Sequence, residues 1–290
     1  MKLPGLPRMG FGCSPFRAGG RRVDLADAVR AAVAAGYRLF DLAELYGNER
    51  AMGEALRSPQ APPRSELFLV GKAWRTSFRP AALREACESS LRRLGCDAFD
   101  LYLLHAPEAW RHIGRLGEAA EIGWEELGRR ALPRDAQGNP ELDGVPLAET
   151  WGAMLDLVRR GLAGAAGVSN FAPEQIAALG AERPAANQIE HSPYQPNTET
   201  VEWCERQGIR LMAHSPLSAA GLLSEPLLST VAVSHRRSPA QILLRWNFER
   251  GLVPLPSSTD PGHIAENLRA LDFELDAGSM ATIDSLASGR

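Results

Sequence analysis

Residues 67–105 read LFLVGKAWRTSFRPAALREACESSLRRLGCDAFDLYLLH, which is the pattern of a strand, a helix and a second strand. LFLVGK (67–72) and FDLYLLH (99–105) are short apolar runs that predict buried strands. Between them, PAALREACESSLRRLG (80–95) predicts a helix, with Gly95 just past its end. Apolar strands joined by a helix favour parallel pairing within one sheet.

The same alternation runs along the whole chain. Eight strand candidates occur, each followed by a helix: PRMGFG (7–12), RLFDL (38–42), LFLVGK (67–72), FDLYLLH (99–105), LAGAAGVS (162–169), AANQIE (185–190), IRLMAH (209–214) and GLVPLP (251–256). Eight such units predict an α/β protein, a (β/α)8 TIM barrel in which residues 1–290 form a single domain. The alternative is an open doubly wound sheet, but GFGCSP (10–15) does not complete the GxGxxG turn typical of that fold.

Residues 106–148 interrupt the alternation with scattered glycines, prolines and short helix-like pieces. We interpret them as a long insertion after strand 4 that covers one face of the barrel. The chain ends with a short helix, AGSMATIDSLA (277–287), and therefore with a short C-terminal tail. At the other end, we expect Asp24 to cap the first helix and Gly36 to end it.

The composition is that of an ordinary globular protein. The 290 residues are 44% hydrophobic and 23% charged, with a formal net charge of −3, so nothing favours a nucleic acid or an anionic membrane as partner. The four cysteines form no CxxC pair or zinc spacing, so we expect reduced thiols and no metal site. MKLPGLPRMGFG (1–12) has no apolar stretch long enough for a signal peptide or a membrane span. We expect a cytoplasmic protein that is a monomer or a weak oligomer.

Four polar residues lie at or just after the ends of three consecutive strand candidates. Asp41 closes RLFD, and Lys72 closes LFLVGK. His105 closes FDLYLLH, and Tyr46 follows Asp41 in the next loop. Because the C-terminal ends of barrel strands carry the active site, we expect all four side chains at one mouth. Taken singly, each residue also has a plain structural explanation, such as hydrogen bonding in a loop, a rim position or snorkelling out of the barrel.

Taken together, the four groups predict proton donation to a carbonyl oxygen. Asp41 supplies a counter-ion for Lys72, and the ammonium lowers the pKa of the Tyr46 phenol from its usual value of about 10. The phenol then acts as the acid, while His105 orients the carbonyl by a hydrogen bond. Since no side chain supplies a hydride, reduction implies a nicotinamide cofactor.

Seven motifs occur in order across nearly the whole chain: FDLAELYGNERAMGEAL (40–56), LFLVGKAW (67–74), LYLLHAP (101–107), GVSNF (167–171), NQIEHSPYQP (187–196), AHSPLS (213–218) and PSSTDPGHIAENL (256–268). In these motifs the sequence resembles the aldo-keto reductase family. The resemblance implies a (β/α)8 barrel that reduces an aldehyde or a ketone to an alcohol with NADPH. It also implies that Tyr46 is the proton donor, that Asp41 and Lys72 tune it, and that His105 orients the substrate.

The resemblance further implies positions that hold NADP(H) or NAD(H). Ser169, Asn170 and Gln188 would hold the nicotinamide carboxamide, although Asn170 could instead cap the following helix. The loop that begins at Ser215 would cover the pyrophosphate, and the last loop would bind phosphate at a helix N-terminus. The positions in these two loops are Ser215, Leu217, Ser218, Ser257, Ser258, Thr259, His263 and Asn267.

Three positions depart from the family pattern. Ser257 and His263 stand where many relatives carry a lysine and an arginine that grip the 2′-phosphate of NADPH. Serine is uncharged and histidine is mostly neutral near neutral pH, so the choice between NADPH and NADH stays open. His214 stands where relatives often place a tyrosine that stacks on the nicotinamide. An imidazole either stacks there and makes cofactor binding pH-dependent, or merely fills the position.

The substrate pocket follows from family position and from the insertion. We expect it to include Cys13, Ser14, Trp74 and Trp110. Ala106 stands where a bulky tryptophan is common in the family, which widens the pocket. Longer relatives close the site with a C-terminal loop, so the short tail predicts a more open site that residues 106–148 partly wall.

Three functions remain open at this point. The first is NAD(P)H-dependent reduction of a small carbonyl compound, which the intact set of four polar residues favours. The second is a redox-inactive barrel that acts as a nucleotide-sensing or regulatory subunit, which the weakened cofactor clamp leaves open. The third is non-redox acid catalysis by Tyr46 and His105 on a biosynthetic intermediate.

Overall fold

The centre of the structure is one sheet of eight parallel strands in which neighbours in space are neighbours in the chain. The computed structural model describes residues 3–14, 17–18, 21–22 and 25–289. A hydrogen bond of 2.9 Å from the Gly12 amide to the Pro256 carbonyl joins the two edges of the sheet. The predicted (β/α)8 barrel is confirmed. Its strands are β1 (Gly10–Gly12), β2 (Leu39–Asp41), β3 (Phe68–Ala73), β4 (Phe99–Leu104), β5 (Ala163–Ser169), β6 (Ala186–Glu190), β7 (Arg210–His214) and β8 (Leu252–Leu255).

Helices connect the strands and cover the outside of the sheet. Gly36 ends the first helix with a φ of 107°, in the left-handed region that glycine adopts without strain, as predicted. Asp24 lies outside the described residues. Within the described ranges, no helix is long and apolar enough to cross a membrane. The helices are α1 (Ala26–Ala35), α2 (Glu49–Leu56), α3 (Pro80–Leu94), α4 (Ala119–Ile122), α5 (Trp124–Ala131), α6 (Leu147–Arg159), α7 (Pro173–Ala177), α8 (Thr198–Arg206), α9 (Pro226–His235), α10 (Pro239–Glu249), α11 (Pro261–Leu268) and α12 (Ala277–Asp284).

Helix α9 has no counterpart among the sequence-based expectations, which place only a loop between β7 and α10. Its apolar residues do not keep to one face, because Leu228, Val231 and Ala232 are buried whereas Val233 is 78% exposed. A helix of this kind lacks the amphipathic periodicity by which helices are identified in a sequence.

Side chains along each strand alternate between two hydrophobic cores. On β4, Leu101 and Leu103 fill the inside of the barrel, whereas Tyr102 and Leu104 pack in the layer between strands and helices. This alternation follows from the period of two along a strand and is the usual way in which a small barrel fills its interior.

The insertion after β4 is ordered around its own small core. It carries α4 and α5, and Leu116, Leu127 and Ala131 pack there against Trp74 and Trp110. The predicted insertion over one face of the barrel is therefore confirmed, and α6 resumes the alternation at Leu147.

The barrel interior leaves no room for a methyl group at Gly167 of β5. A Cβ atom there would lie 2.6 Å from Leu103 Cδ2 and 2.8 Å from the Ala186 carbonyl oxygen, which the sheet holds in place. We expect Gly167→Ala to lower the free energy of unfolding by roughly 1–3 kcal/mol, the usual cost of overpacking. In contrast, Gly152→Ala on α6, where no atom lies within 4 Å of the added methyl, should raise it by roughly 0.4–1 kcal/mol. Urea unfolding measures both, and a shift of the same sign in the two variants would contradict this account.

Candidate active site

The mouth of the barrel is built from the last interior position of several strands. Side chains two positions apart on a strand face the same side, so Leu39 and Val70 of the barrel interior direct Asp41 and Lys72 inward as well. The same spacing brings further polar side chains to the mouth, namely His105, Gln188 and His214. The sequence therefore places polar groups only in the top layer of an otherwise apolar interior.

Lys72 is the centre of the polar network. Its fully buried ammonium donates hydrogen bonds to Asp41 Oδ2 at 2.7 Å, to the Leu42 carbonyl at 3.1 Å and to Tyr46 Oη at 3.1 Å. The ion pair that the sequence predicts is present. Burial acts to lower the pKa of Lys72, but Asp41 and Tyr46 outweigh it and the pKa is raised, so that the group is an ammonium at neutral pH.

Tyr46 ends a single 3₁₀ turn, Glu44–Tyr46, that follows β2. The expectation that its pKa is lowered is wrong, because burial raises the pKa of the phenol by more than Lys72 lowers it, and Asp41 raises it further. The phenol is therefore protonated at neutral pH. Since its oxygen accepts a hydrogen bond from Lys72, its own proton is available to another acceptor.

His105 stands beside Tyr46 as a neutral imidazole. Burial, followed by the charge of Lys72, holds the pKa of His105 well below its usual range. The ring meets Tyr46 edge-on at 5.9 Å between centroids and Trp74 edge-on at 5.0 Å. Nδ1 is buried and has no hydrogen-bond partner among the described residues. Because an unpaired buried N–H is rarer than an unpaired acceptor, we infer that the proton is on Nε2.

Gln188 holds the second oxygen of the Asp41 carboxylate. Its Nε2 donates to Asp41 Oδ1 at 2.7 Å, and its backbone carbonyl accepts from Ser169 Oγ at 2.9 Å. The carboxylate is thus bound on both sides, by Lys72 and by Gln188, which is the condition for keeping a charge inside a barrel.

Asn170 connects His105 to His214. Its Nδ2 donates to the His105 carbonyl and to Ser169 Oγ, each at 3.1 Å, and its Oδ1 lies 2.8 Å from His214 Nε2. Asn170 does not cap α7, since the N-cap position there is Ala172. Burial, assisted by Lys72, lowers the pKa of His214 to about 4, so His214 is neutral at neutral pH and titrates only in acid.

Two loop residues at the mouth have strained backbones. Asn170 and Ser215, which directly follow β5 and β7, have φ angles of 62° and 54°, in the left-handed region that favours glycine. Such angles tend to persist at functional sites, where the surroundings hold them.

These residues open into a cavity of about 690 Å³ at the C-terminal mouth of the barrel. Three of the four predicted catalytic residues line it, and Lys72 lies directly behind Tyr46. The sequence-predicted residues on its wall are Ser14, Asp41, Tyr46, His105, Asn170, Gln188, His214, Ser215, Leu217, Ser218 and Ser257.

Other sequence-predicted site residues lie away from this wall. Cys13 is fully buried, with its thiol 3.7 Å from the Phe11 carbonyl, and Ser169 lies beneath Asn170. Trp74 stands behind His105, and Trp110 meets Trp74 edge-on at 5.8 Å. The remaining residues are also away from the cavity wall: Ser258 and Thr259 precede α11, His263 lies in its first turn, and Asn267 is buried in its last turn.

The structure adds residues that sequence reasoning did not single out. Six residues complete the wall of the cavity: Gly12, Leu45, Pro216, Leu223, Leu255 and Pro256. Leu223 is 43% exposed, and an exposed leucine at a cavity mouth has no sequence signal by which it differs from other surface leucines. Glu44 is also buried beside the site, and its position next to Tyr46 in the chain was the available signal.

Comparison with known proteins agrees with this fold. The family described as "Aldo/keto reductase family" matches residues 8–288. Aldo-keto reductase family 1 member A1 of Mus musculus is 36% identical over 89% of this chain and 80% of its own length. Aldose reductase B of Dictyostelium discoideum is 35% identical over 98% of this chain and 89% of its own length. The solved structure of aldose reductase from Giardia lamblia superposes with a TM-score of 0.85 and 30% identity, covering 98% of this chain and 93% of that one.

The barrel and the relatives that it resembles define the class of this protein as an oxidoreductase. The chain belongs to the aldo/keto reductase family, as the match over residues 8–288 shows.

Removal of the Lys72 charge tests whether the ion pair supports the fold. Lys72→Met leaves the buried Asp41 carboxylate without its counter-ion, and we expect a loss of about 3–5 kcal/mol in the free energy of unfolding. The double variant Asp41→Asn/Lys72→Met removes both charges and should recover most of that loss. Urea unfolding of the wild type, both single variants and the double variant forms a complete cycle, and simply additive losses would show that the two charges do not interact.

Proposed function

We propose that this protein is an NAD(P)H-dependent reductase of aldehydes or ketones, with Tyr46 as proton donor. The observation that carries the proposal is the 3.1 Å contact between Tyr46 Oη and the Lys72 ammonium on the wall of the cavity. Asp41 accepts a hydrogen bond from that ammonium, and Gln188 in turn donates to Asp41. The barrel as a whole would serve as one catalytic domain.

The protein groups act on the carbonyl oxygen. Tyr46 donates its proton to that oxygen as negative charge develops there, and His105 donates a hydrogen bond from Nε2. The phenolate left on Tyr46 is stabilised by the Lys72 ammonium at 3.1 Å, so the cost of proton loss from a buried phenol falls when it is needed. Lys72 therefore stabilises the Tyr46 phenolate, which forms during the reaction, more than it stabilises the resting phenol.

The cavity fits a nicotinamide cofactor, whose reduced form would supply the hydride. Gln188, Asn170 and His214 present amide and imidazole groups on the same wall as Tyr46 and His105 and would hold the nicotinamide. Ser215, Ser218 and Ser257 continue the polar part of that wall and would hold the rest of the dinucleotide. A cavity of about 690 Å³ falls in the size range of small-molecule sites.

The choice between NADPH and NADH would follow from the absence of a fixed positive charge at positions 257 and 263. Ser257 is exposed at the rim of the cavity, and His263 is exposed in the first turn of α11. The backbone amide of His263 is already occupied, because it donates to Asp260 Oδ1 at 3.0 Å. With no lysine or arginine at these two positions, we propose that both cofactors bind and that the preference for NADPH is weak.

The substrate would be a small carbonyl compound in an open site. Relatives named aldose reductase and aldo-keto reductase support this class of substrate. Leu45 lies on the cavity wall together with His105, so an apolar group next to the carbonyl suits the wall.

Tyr46→Phe removes the proposed acid and leaves the ring in place. We expect carbonyl reduction to fall by at least about a thousandfold, since general acid catalysis and the buried oxyanion contact are both lost. The dissociation constants of NADPH and NADH, followed by tryptophan fluorescence, should change less than about twofold. Tyr102→Phe is the matched control, because that hydroxyl is buried without a partner among the described residues and the side chain packs in the layer between strands and helices, outside the barrel interior. Turnover near the wild-type rate in Tyr46→Phe would rule out Tyr46 as the donor.

Ser257→Lys adds the cation that the last loop lacks. We expect NADPH to gain affinity relative to NADH by about tenfold, which corresponds to about 1.4 kcal/mol, through contact with the additional phosphate. Gln207→Lys adds the same charge at an exposed position just before β7, at the opposite end of the barrel, and should leave the ratio unchanged. An unchanged ratio in Ser257→Lys would show that the 2′-phosphate is bound elsewhere.

A further inference from the structure

Glu44 is a buried carboxylic acid two residues before Tyr46 in the same 3₁₀ turn. Only 2% of the residue is exposed. Its Oε2 accepts a hydrogen bond of 3.0 Å from the Trp74 backbone amide, and its Oε1 accepts one of 3.2 Å from Ser77 Oγ. A carboxyl group kept at such a depth is costly unless its hydrogen bonds are needed.

Both partners of Glu44 belong to the segment that follows β3. Lys72 lies on that strand, Trp74 comes two residues later, and Ser77 ends the next 3₁₀ turn. Glu44 therefore ties the turn that carries the phenol to the segment directly after the strand that carries the ammonium. A second link lies on the other side of the turn, where Lys72 Nζ donates to the Leu42 carbonyl at 3.1 Å.

The same connection reaches His105. Trp74, whose backbone amide Glu44 binds, meets the His105 ring edge-on at 5.0 Å and donates from its indole Nε1 to the Ala131 carbonyl of the insertion at 2.7 Å. The Glu44 carboxyl group thus connects the backbones of two segments. One is the turn that carries Tyr46, and the other directly follows Lys72 and carries Trp74, which packs against His105.

Charged groups surround Glu44 on its far side. The pKa of Glu44 is raised to about 7, chiefly by burial. The neighbouring Glu49 also raises this pKa, whereas Arg93 lowers it. Arg93 is itself bound to Glu49, with an Nε–Oε2 distance of 2.8 Å, and lies 3.8 Å from Glu118. These groups are paired with one another and not with Trp74 or Ser77, so the link to the active site is made by Glu44.

We propose that Glu44 is a positioning residue, which holds the Tyr46 hydroxyl against the Lys72 ammonium and beside His105. The proposal rests on the proposed function, because positioning has a kinetic consequence only if Tyr46 is the acid. It concerns geometry and not charge, so a side chain that keeps the two hydrogen bonds should keep the function.

The test compares Glu44→Ala with Glu44→Gln. In Glu44→Ala we expect kcat to fall by about tenfold to a hundredfold, because a displacement of about 1 Å at a reacting group has an effect of this size, while the dissociation constant of the cofactor changes less than about twofold. In Glu44→Gln the amide oxygen can accept from Trp74 and the amide nitrogen can donate to Ser77 Oγ, so kcat should return to within about threefold of the wild type. Ser77→Ala, which removes one of the two bonds, should give a smaller loss than Glu44→Ala.

Glu118→Gln is the matched control. Glu118 is an equally buried carboxyl group that accepts a backbone amide hydrogen bond, from Arg50 at 2.8 Å, but among the described residues its hydrogen bond and ion pairs go to Arg50 and Arg93 and not to the segment after β3. We expect its kcat to be unchanged. If Glu118→Gln and Glu44→Ala lost kcat equally, the effect would come from the buried charge cluster and the positioning role would be rejected.

A second readout needs no turnover. In protein labelled at the tyrosine ring carbons, one of four tyrosine NMR signals belongs to Tyr46 and is assigned by its loss in Tyr46→Phe. This signal should shift in Glu44→Ala, as the phenol leaves the ammonium, and should stay in place in Glu44→Gln. If the Tyr46 signal shifts in Glu44→Ala but the wild type reduces no carbonyl compound, the proposed function is rejected and the positioning role is kept. An unmoved signal in Glu44→Ala, with unchanged kcat, would overturn the inference itself.

Discussion

The buried contact between the Lys72 ammonium and the Asp41 carboxylate is the interaction on which the site depends. Two charges inside a barrel are tolerated only when their hydrogen bonds are satisfied. Here the ammonium donates to Asp41, Leu42 and Tyr46, and the carboxylate accepts also from Gln188. The need to satisfy the pair therefore fixes three strands and one loop turn relative to each other. The Tyr46 phenol is held on the cavity wall as part of that network, beside the Lys72 ammonium.

The sequence allows the barrel and most of this network to be predicted, for physical reasons. Parallel strands buried on both faces appear as continuous apolar runs, so the eight strands stand out, and a polar residue that ends such a run has one natural location, the open mouth. The period of two along a strand then directs Asp41 and Lys72 to the same side as the apolar residues before them. Tyr46 is recognised because it follows Asp41 closely in the chain.

Features that depend on how deeply a side chain is buried, or on contacts between residues far apart in the chain, could not be predicted in this way. The pKa of Tyr46 is raised and not lowered, because the extent of burial outweighs the neighbouring charge and no local pattern reports burial. The bond from Trp74 Nε1 to the Ala131 carbonyl joins residues 57 positions apart, and the bond from the Trp74 amide to Glu44 joins residues 30 apart. Cys13 follows a strand as Ser14 does, yet its thiol turns into the core while Ser14 reaches the cavity. Such contacts are set by packing, which the sequence pattern does not encode locally.

The most direct test of the account is to follow the transferred hydrogen itself. The purified protein is incubated with an aromatic aldehyde and NADPH or NADH that carries deuterium at both C4 positions of the nicotinamide, and the alcohol is analysed by mass spectrometry. With either cofactor, the wild type is expected to form an alcohol with one deuterium on the former carbonyl carbon. An alcohol without deuterium, or no alcohol from a panel of aldehydes and ketones despite saturating cofactor, would contradict the assignment of this site to carbonyl reduction.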